Sequence, residues 1–274
     1  MLIARTLPEL RTARAQFGNN LGLVPTMGAL HEGHLALIRA ARAGSGNVAA
    51  SIFVNPLQFG PHEDFARYPR DEAGDLAKLA AAGCGLAWLP DVETMYPPDA
   101  ATTITVAGPA EGWEGAARPG HFAGVATVVA KLLGQVRPQA AYFGEKDWQQ
   151  LQVIRRMATD LPLPVEIVPV PTVREPDGLA MSSRNRFLSP AERRSAPKFH
   201  AVLSQAAADI AEGAAVPAIL AQADRALADA GMQTDYLALV DAQSLLPLQS
   251  VVQPARIIAA ARLGSVRLLD NVPV

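Results

Sequence analysis

The feature that most constrains this chain is an alternation in its first two thirds. Short apolar runs at residues 21–24, 48–54, 86–89, 140–143 and 165–170 are separated by segments with helical periodicity. The runs are apolar along both faces, as strands of a parallel sheet covered by helices on each side must be. The clearest intervening helix places Val125, Val128, Val129, Leu132, Leu133 and Val136 on one stripe. Residues 35–42 and 71–82 follow the same period less strongly. This βαβα rhythm predicts an α/β fold with a parallel sheet and right-handed crossovers. Sheets of that kind bind ligands outside the carboxyl ends of their strands.

The rhythm changes near residues 169–172. A turn signal, Glu175-Pro176-Asp177-Gly178, follows. Ser189-Pro190-Ala191-Glu192 then reads as a capping box with proline at the first helical position. Two amphipathic helices come next, one carrying Phe199, Val202, Leu203, Ala206 and Ile210, the other Val216, Ile219, Leu220, Ala223 and Leu227. Three strand candidates at 236–240, 257–263 and 266–269 close the chain. The expectation is two domains, residues 1–172 and 173–274, the second a smaller α+β unit.

Composition narrows the function classes. Lys and Arg number 24 against 26 Asp and Glu, for a net charge of -2. A protein that tracks a polyanion would show a basic excess, so nucleic acid is not an expected partner. A small anionic ligand needs only a local cluster of cations. With 50% hydrophobic and 18% charged residues, the chain belongs among globular proteins. Cys84 is the single cysteine, which excludes an intramolecular disulfide and a cysteine-rich zinc site. A reducing cytoplasm is the expected compartment. The first ten residues lack the basic start and apolar middle of a signal peptide. The longest apolar stretches, 48–54 and 257–261, are too short to span a bilayer.

The strongest local signal is Pro25-Thr26-Met27-Gly28-Ala29-Leu30-His31-Glu32-Gly33-His34, at the junction of the first strong strand and its helix. Glycines there let a ligand approach the backbone, and a helix N-terminus favours phosphate. His31 and His34, three apart, can converge and donate to a phosphoryl group as its charge grows. The competing readings are a polar turn with incidental histidines, or a metal site, for which no third ligand is spaced nearby.

Further candidates fall at other strand ends. Asn55 and Gln58, in Phe53-Val54-Asn55-Pro56-Leu57-Gln58-Phe59-Gly60, are neutral donors and acceptors suited to orienting a small hydroxy acid. An Asn-Pro turn that merely ends a strand is equally open. Arg118 and His121 stand before the clearest helix, where they could bind phosphate or carboxylate, or simply be solvated. In Gly144-Glu145-Lys146-Asp147-Trp148-Gln149-Gln150, Lys146 can meet a phosphate as a point charge and Asp147 can accept from ribose hydroxyls. Gln150 lies one helical turn on, facing the same way. At the domain junction, Met181-Ser182-Ser183-Arg184 offers hydroxyls and a guanidinium to departing phosphates, or is a hinge with a solvated arginine. Cys84 reads as structural. His62 and His200 are isolated, Tyr68 could be ordinary packing, and Trp88, Trp113 and Trp148 are too dispersed for a stacking platform.

These motifs together resemble the pantoate–β-alanine ligase family of the HxGH nucleotidyltransferase superfamily, over essentially the whole chain. The Met181–Arg184 stretch is similar to the KMSKS loop of class I tRNA synthetases. The resemblance implies a Rossmann-like doubly wound sheet of the HxGH type with a C-terminal lid. It implies ATP-dependent condensation of pantoate with β-alanine to pantothenate through a pantoyl adenylate, releasing AMP and pyrophosphate. ATP would be held by Met27, Gly28, Ala29, Leu30, His31, Glu32, Gly33, His34, Gly144, Glu145, Lys146, Asp147, Val173, Met181, Ser182, Ser183 and Arg184. Gln58 and Gln150, with Asn55, would hold pantoate and β-alanine. His34, His31 and Lys146 would be catalytic, with His34 the donor to the phosphates. Mg2+ would arrive on ATP, bound mainly through phosphate oxygens and water. A cytoplasmic homodimer is implied as well.

Three rivals compete with this reading. Another HxGH nucleotidyltransferase would release a nucleotide conjugate, and the strings around Asn55 and Lys146 argue against it. A tRNA synthetase would need an RNA-binding appendage that the chain has no room for. A non-catalytic nucleotide-binding module would not require His31, His34 and Lys146 together.

Overall fold

The computed structural model describes residues 1–61, 63 and 65–274; the isolated His62 lies outside the described residues. Its larger part is a six-stranded parallel sheet in the order β1-β4-β3-β2-β5-β6. The strands are β1 (Leu2–Ala4), β2 (Leu21–Thr26), β3 (Asn47–Ile52), β4 (Leu86–Trp88), β5 (Ala140–Gly144) and β6 (Glu166–Val170). The helices between them are α1 (Leu7–Arg14), α2 (Glu32–Ser45), α3 (Glu72–Ala81), α4 (Val92–Met95), α5 (Trp113–Ala117), α6 (His121–Val136) and α7 (Trp148–Asp160). From β2 the chain winds outward through β3 and β4, then returns to place β5 on the other flank of β2. The sheet is therefore doubly wound, and its direction of winding reverses between β2 and β5.

Alternation along the strands explains the two layers. Leu21 and Leu23 face α1, α6 and α7, where they join Leu10, Val129, Leu133 and Ile154. Val24 faces the other way, towards Leu37, Ile38 and Ala41 of α2 and Leu79 of α3. Two expectations need correction. The chain begins with a short strand, β1, whose apolar residues 2–4 are not among the expected strands; it pairs only with β4, at the sheet's edge. β6 is not buried on both faces: Glu166 is exposed and residues 167–169 are half-buried. It pairs only with β5, and an edge strand has one neighbour fewer to cover it.

The C-terminal part holds α8 (Pro190–Ser195), α9 (Lys198–Ala211) and α10 (Val216–Asp229) before an antiparallel sheet of β7 (Met232–Asp241), β8 (Ala255–Leu263) and β9 (Val266–Pro273). The capping box at α8 forms as its sequence requires. Ser189 Oγ accepts from Glu192 N at 3.3 Å, and Glu192 accepts from Ser189 N at 2.7 Å. Phe199, Leu203 and Ile210 of α9 pack with Leu227 of α10 on Ile257, Ala259 and Ala261 of β8. No helix among the described residues is long and apolar enough to cross a membrane.

The connection from β6 into this second unit is tied down by charge. Residues 174 and 180 form an antiparallel bridge around the left-handed Gly178. Arg174 then donates to both carboxylate oxygens of Asp270 in β9, at 2.6 and 2.9 Å. Asp270 is 2% exposed, so removing it would strand a guanidinium that has little solvent to replace the lost partner. Asp270→Ala should lower unfolding free energy by about 3–5 kcal/mol, read as a shift in the urea midpoint. Arg174→Met with Asp270→Leu should recover most of that loss.

Candidate active site

The reversal of winding opens a crevice beyond the carboxyl ends of β2 and β5, and a cavity lies there. It measures about 670 Å³ and is shared by both parts of the chain. From the end of β2 come Met27, His31, Gly33 and His34; from the turn after β3, Asn55 and Gln58. Gly144, Lys146, Asp147 and Gln150 enter from β5 and α7, and Val173, Met181, Ser182, Ser183 and Arg184 from the junction. Motifs more than a hundred residues apart therefore converge on one space. Gly28, Ala29, Leu30, Glu32 and Glu145 do not line it. Ala29 and Leu30 are buried, Glu32 pairs with Arg39 outside, and Glu145 lies 3.5 Å from Arg256.

The histidines owe their orientation to their own helix start. His31 caps α2, its Nδ1 accepting from Gly33 N at 3.2 Å. His34 Nδ1 accepts from His31 N at 3.3 Å. A ring nitrogen that accepts from a backbone N–H carries no proton, so in each neutral ring the proton sits on Nε2. Among the described residues neither Nε2 has a protein partner. The rings lie 4.1 Å apart between centroids. Burial, reinforced by Lys146, lowers His31 to about 4. Burial and then His31 lower His34 to about 3. Both are neutral hydrogen-bond donors at neutral pH.

Lys146 sits in a single 3-10 turn, Glu145–Asp147, that joins β5 to α7. Its ammonium is 3.9 Å from Asp147 Oδ1. The turn is held from the C-terminal sheet: Asn271 Nδ2 donates to the carbonyls of Glu145 and Lys146, at 2.9 Å each. Asn271 also lines the cavity and is a residue that the sequence reading misses. Its one signal is a polar Asp-Asn pair that follows Leu268 and Leu269 in the terminal strand.

The opposite wall is built around Gln58. Asn55 is 1% exposed and its amide is fully engaged by protein. Nδ2 donates to Gln58 Oε1 at 3.0 Å and to Gly124 O at 3.1 Å, while Oδ1 accepts from Tyr96 OH at 2.8 Å. Asn55 thus orients Gln58. Arg118 and His121, which also line the cavity, hold the same residue from behind. The Gln58 carbonyl accepts from Arg118 Nη2 at 3.1 Å and lies 2.9 Å from His121 Nδ1. Burial lowers His121 to about 4, so it too is neutral. Arg118 is held by Glu63 and by Glu114, and Glu114 also takes Arg267 of β9 at 2.7 Å and Tyr236 OH at 3.2 Å. Arg267 draws the Glu114 carboxyl down against the opposing effect of burial.

The remaining residues read from the sequence are placed as follows. Ser182 caps the 3-10 turn Ser183–Phe187 by accepting from Arg184 N at 3.3 Å. Tyr68, which the sequence leaves open to ordinary packing, lines the cavity, with the Arg184 guanidinium 5.7 Å from its ring centre. Cys84 is buried, and burial raises its thiol to about 11. His200 lies 3.2 Å from Ser204 Oγ. Trp113 and Trp148 are not dispersed in space: their indole N–H groups donate to Leu245 O and Ala242 O, at 2.9 and 2.8 Å, fastening one loop of the C-terminal sheet.

A doubly wound α/β sheet with neutral imidazoles and an ammonium gathered at its switch point defines a protein that binds small anionic ligands and acts on them there. Comparison with known proteins narrows this to one family. The family model described as Pantoate-beta-alanine ligase matches residues 2–273. The pantothenate synthetase of Acidiphilium cryptum is 63% identical with all of each chain covered. That of Granulibacter bethesdensis is 59% identical over 99% of this chain and 96% of its own. Among solved structures, the pantothenate synthetase of Thermus thermophilus superposes with a TM-score of 0.94 at 52% identity, covering 99% of both chains. The pantoate-beta-alanine ligase of Francisella tularensis, solved in complex with beta-gamma ATP and beta-alanine, gives 0.84 at 33% identity over 100% of this chain and 97% of its own. The chain belongs to the pantoate–β-alanine ligase family, a family of carbon–nitrogen ligases.

Two expectations follow from this geometry. A Cβ on Gly124 would lie 2.3 Å from Leu57 O and 2.7 Å from Gln58 N, so Gly124→Ala must displace the turn that carries Gln58. It should lower stability by about 1–3 kcal/mol, read as a fall of several degrees in the calorimetric melting temperature. The second concerns pH. His31, His34 and His121 stay neutral in the folded protein down to about 4, about 3 and about 4, whereas unfolded imidazoles take up protons near 6.5. Below that value the unfolded state binds more protons, so stability should fall as pH drops from 7 to 5. Urea midpoints across that window measure it, and His34→Asn should flatten the slope.

Proposed function

We propose that this chain condenses pantoate with β-alanine in two steps, activating pantoate with ATP as a pantoyl adenylate and releasing pyrophosphate and then AMP. The observation that carries the reading is the pair of neutral imidazoles that line the cavity together with Lys146. The ligands named for the Francisella tularensis ligase support ATP and β-alanine as substrates. A carboxylate is a poor acyl donor to an amine, and a mixed anhydride with AMP supplies the leaving group. The pantoate carboxylate attacks the α-phosphorus in line, with Gln58 and Gln150 holding pantoate. His34, His31 and Lys146 neutralise charge on the phosphates, and the imidazoles do so without being deprotonated. The amine of β-alanine then attacks the acyl carbon and AMP departs.

Mg2+ enters as part of the nucleotide substrate, held by phosphate oxygens and water. Residues 1–172 act as the nucleotide- and pantoate-binding domain and 173–274 as a lid, with Ser182, Ser183 and Arg184 following the pyrophosphate. The assembly is a cytoplasmic homodimer.

Incubation with MgATP and pantoate alone should release stoichiometric pyrophosphate and leave an enzyme-held adenylate. Pyrophosphate that appears only with β-alanine would sink the two-step order. His34→Ala or Lys146→Ala should slow adenylation by about 10²–10³-fold with the fold intact by circular dichroism. Near wild-type turnover in either variant would overturn its assignment.

A further inference from the structure

The turn between β2 and His31 has a backbone that needs an external hold. Gly28 and Ala29 are successive left-handed residues, with φ of 82° and 51°. Left-handed alanine is disfavoured, and successive amides in such a turn form a concave nest that attracts an anion. In a phosphate-binding loop that anion would be the ligand. Here it is a side chain of the protein. Asp75, in α3 and 1% exposed, accepts from Ala29 N through Oδ2 at 2.7 Å and from Leu30 N through Oδ1 at 2.8 Å. One helical turn on, Lys78 Nζ donates to Leu30 O at 2.9 Å and lies 3.8 Å from Asp75 Oδ1. Both polar groups of Leu30, the residue immediately before His31, are therefore gripped from one helix.

This has a direct chemical consequence. The Ala29 and Leu30 amides are spent on Asp75, so contact with phosphate falls to the imidazole Nε2–H groups of His31 and His34. Those groups are useful only if the turn preceding them is fixed, because His34 takes its orientation from His31 N and His31 takes its own from Gly33 N. A Cβ on Gly28 would lie 2.9 Å from Asp75 Oδ2, so the close seat of the carboxylate itself requires glycine at that position. We propose that Asp75, assisted by Lys78, is a positioning residue for adenylation, acting through His31 and His34 without touching substrate. The proposal rests on the two-step reading above.

The test separates the half-reactions. Asp75→Asn keeps the shape but sets an amide group against one of the two backbone N–H donors. It should slow pyrophosphate release from ATP and pantoate by about 100-fold, with KM for pantoate within about twofold of wild type. Aminolysis of separately synthesised pantoyl adenylate by β-alanine should stay near the wild-type rate, because it places no demand on the imidazoles. In a His34→Ala background, Asp75→Asn should cost no more than about threefold further, since residues acting through one another are not additive.

Wild-type adenylation in Asp75→Asn overturns the proposal, as do equal losses in both half-reactions, or losses that multiply with His34→Ala. Should Asp75→Asn fail to fold, Lys78→Met carries the same test: a loss confined to adenylation supports the clamp, and no loss or a parallel loss refutes it. If the wild-type enzyme releases no pyrophosphate without β-alanine, the two-step reading fails on its own. The clamp is then judged by overall kcat and its coupling to His34.

Discussion

Two crossovers leave β2 and β5 in opposite directions, and everything at the site depends on that divergence. Because neither connection covers the carboxyl ends of these adjacent strands, a cavity persists there. Each strand then delivers a short, stiff turn to its rim: the histidine-bearing start of α2 from one, and the lysine-bearing 3-10 turn from the other. Elements fixed by a hydrogen-bonded sheet place charges more reproducibly than free loops do, which suits chemistry whose demand on the protein is positioning.

The electrostatics follow from this placement. Lys146 and Arg184 line the cavity, and Arg186 acts on His31 from nearby. Such a gathering would be self-repelling if the two imidazoles were also charged. Burial and the neighbouring cations keep them neutral, so they contribute dipoles rather than further charge. Cations are in turn balanced at the cavity's edges. Glu114 receives Arg118 and Arg267 together, and Asp270 receives Arg174. Glu114 also joins the two parts of the chain, so a contact that offsets charge also assembles the cavity wall.

Much of this was legible in the sequence where the signal is local. The run at 21–24 and the glycine-histidine string after it announce a strand, a turn and a helix start within a dozen residues, and they form as read. The capping box at Ser189 and the stripe from Val125 to Val136 are local in the same sense. What was not legible is long-range. Asp75 looks like one more acidic residue in the first turn of a helix, and Asn271 like part of a closing strand. Each acts on backbone atoms more than forty residues away. Arg118 and His121 were recognisable as chemistry-bearing types, but residue type could not say whether they face a ligand or a carbonyl.

The sequence by itself determined the α/β class, the positions of the strand-end motifs and the family, because periodicity, capping and turn chemistry act over a few residues. Only the tertiary structure decided which backbone amides remain open to a ligand and which nitrogen of each imidazole carries the proton. It also decided that the terminal strand holds the lysine turn. Those outcomes depend on distances between segments remote in sequence, and such distances exist only once the sheet has set its strand order.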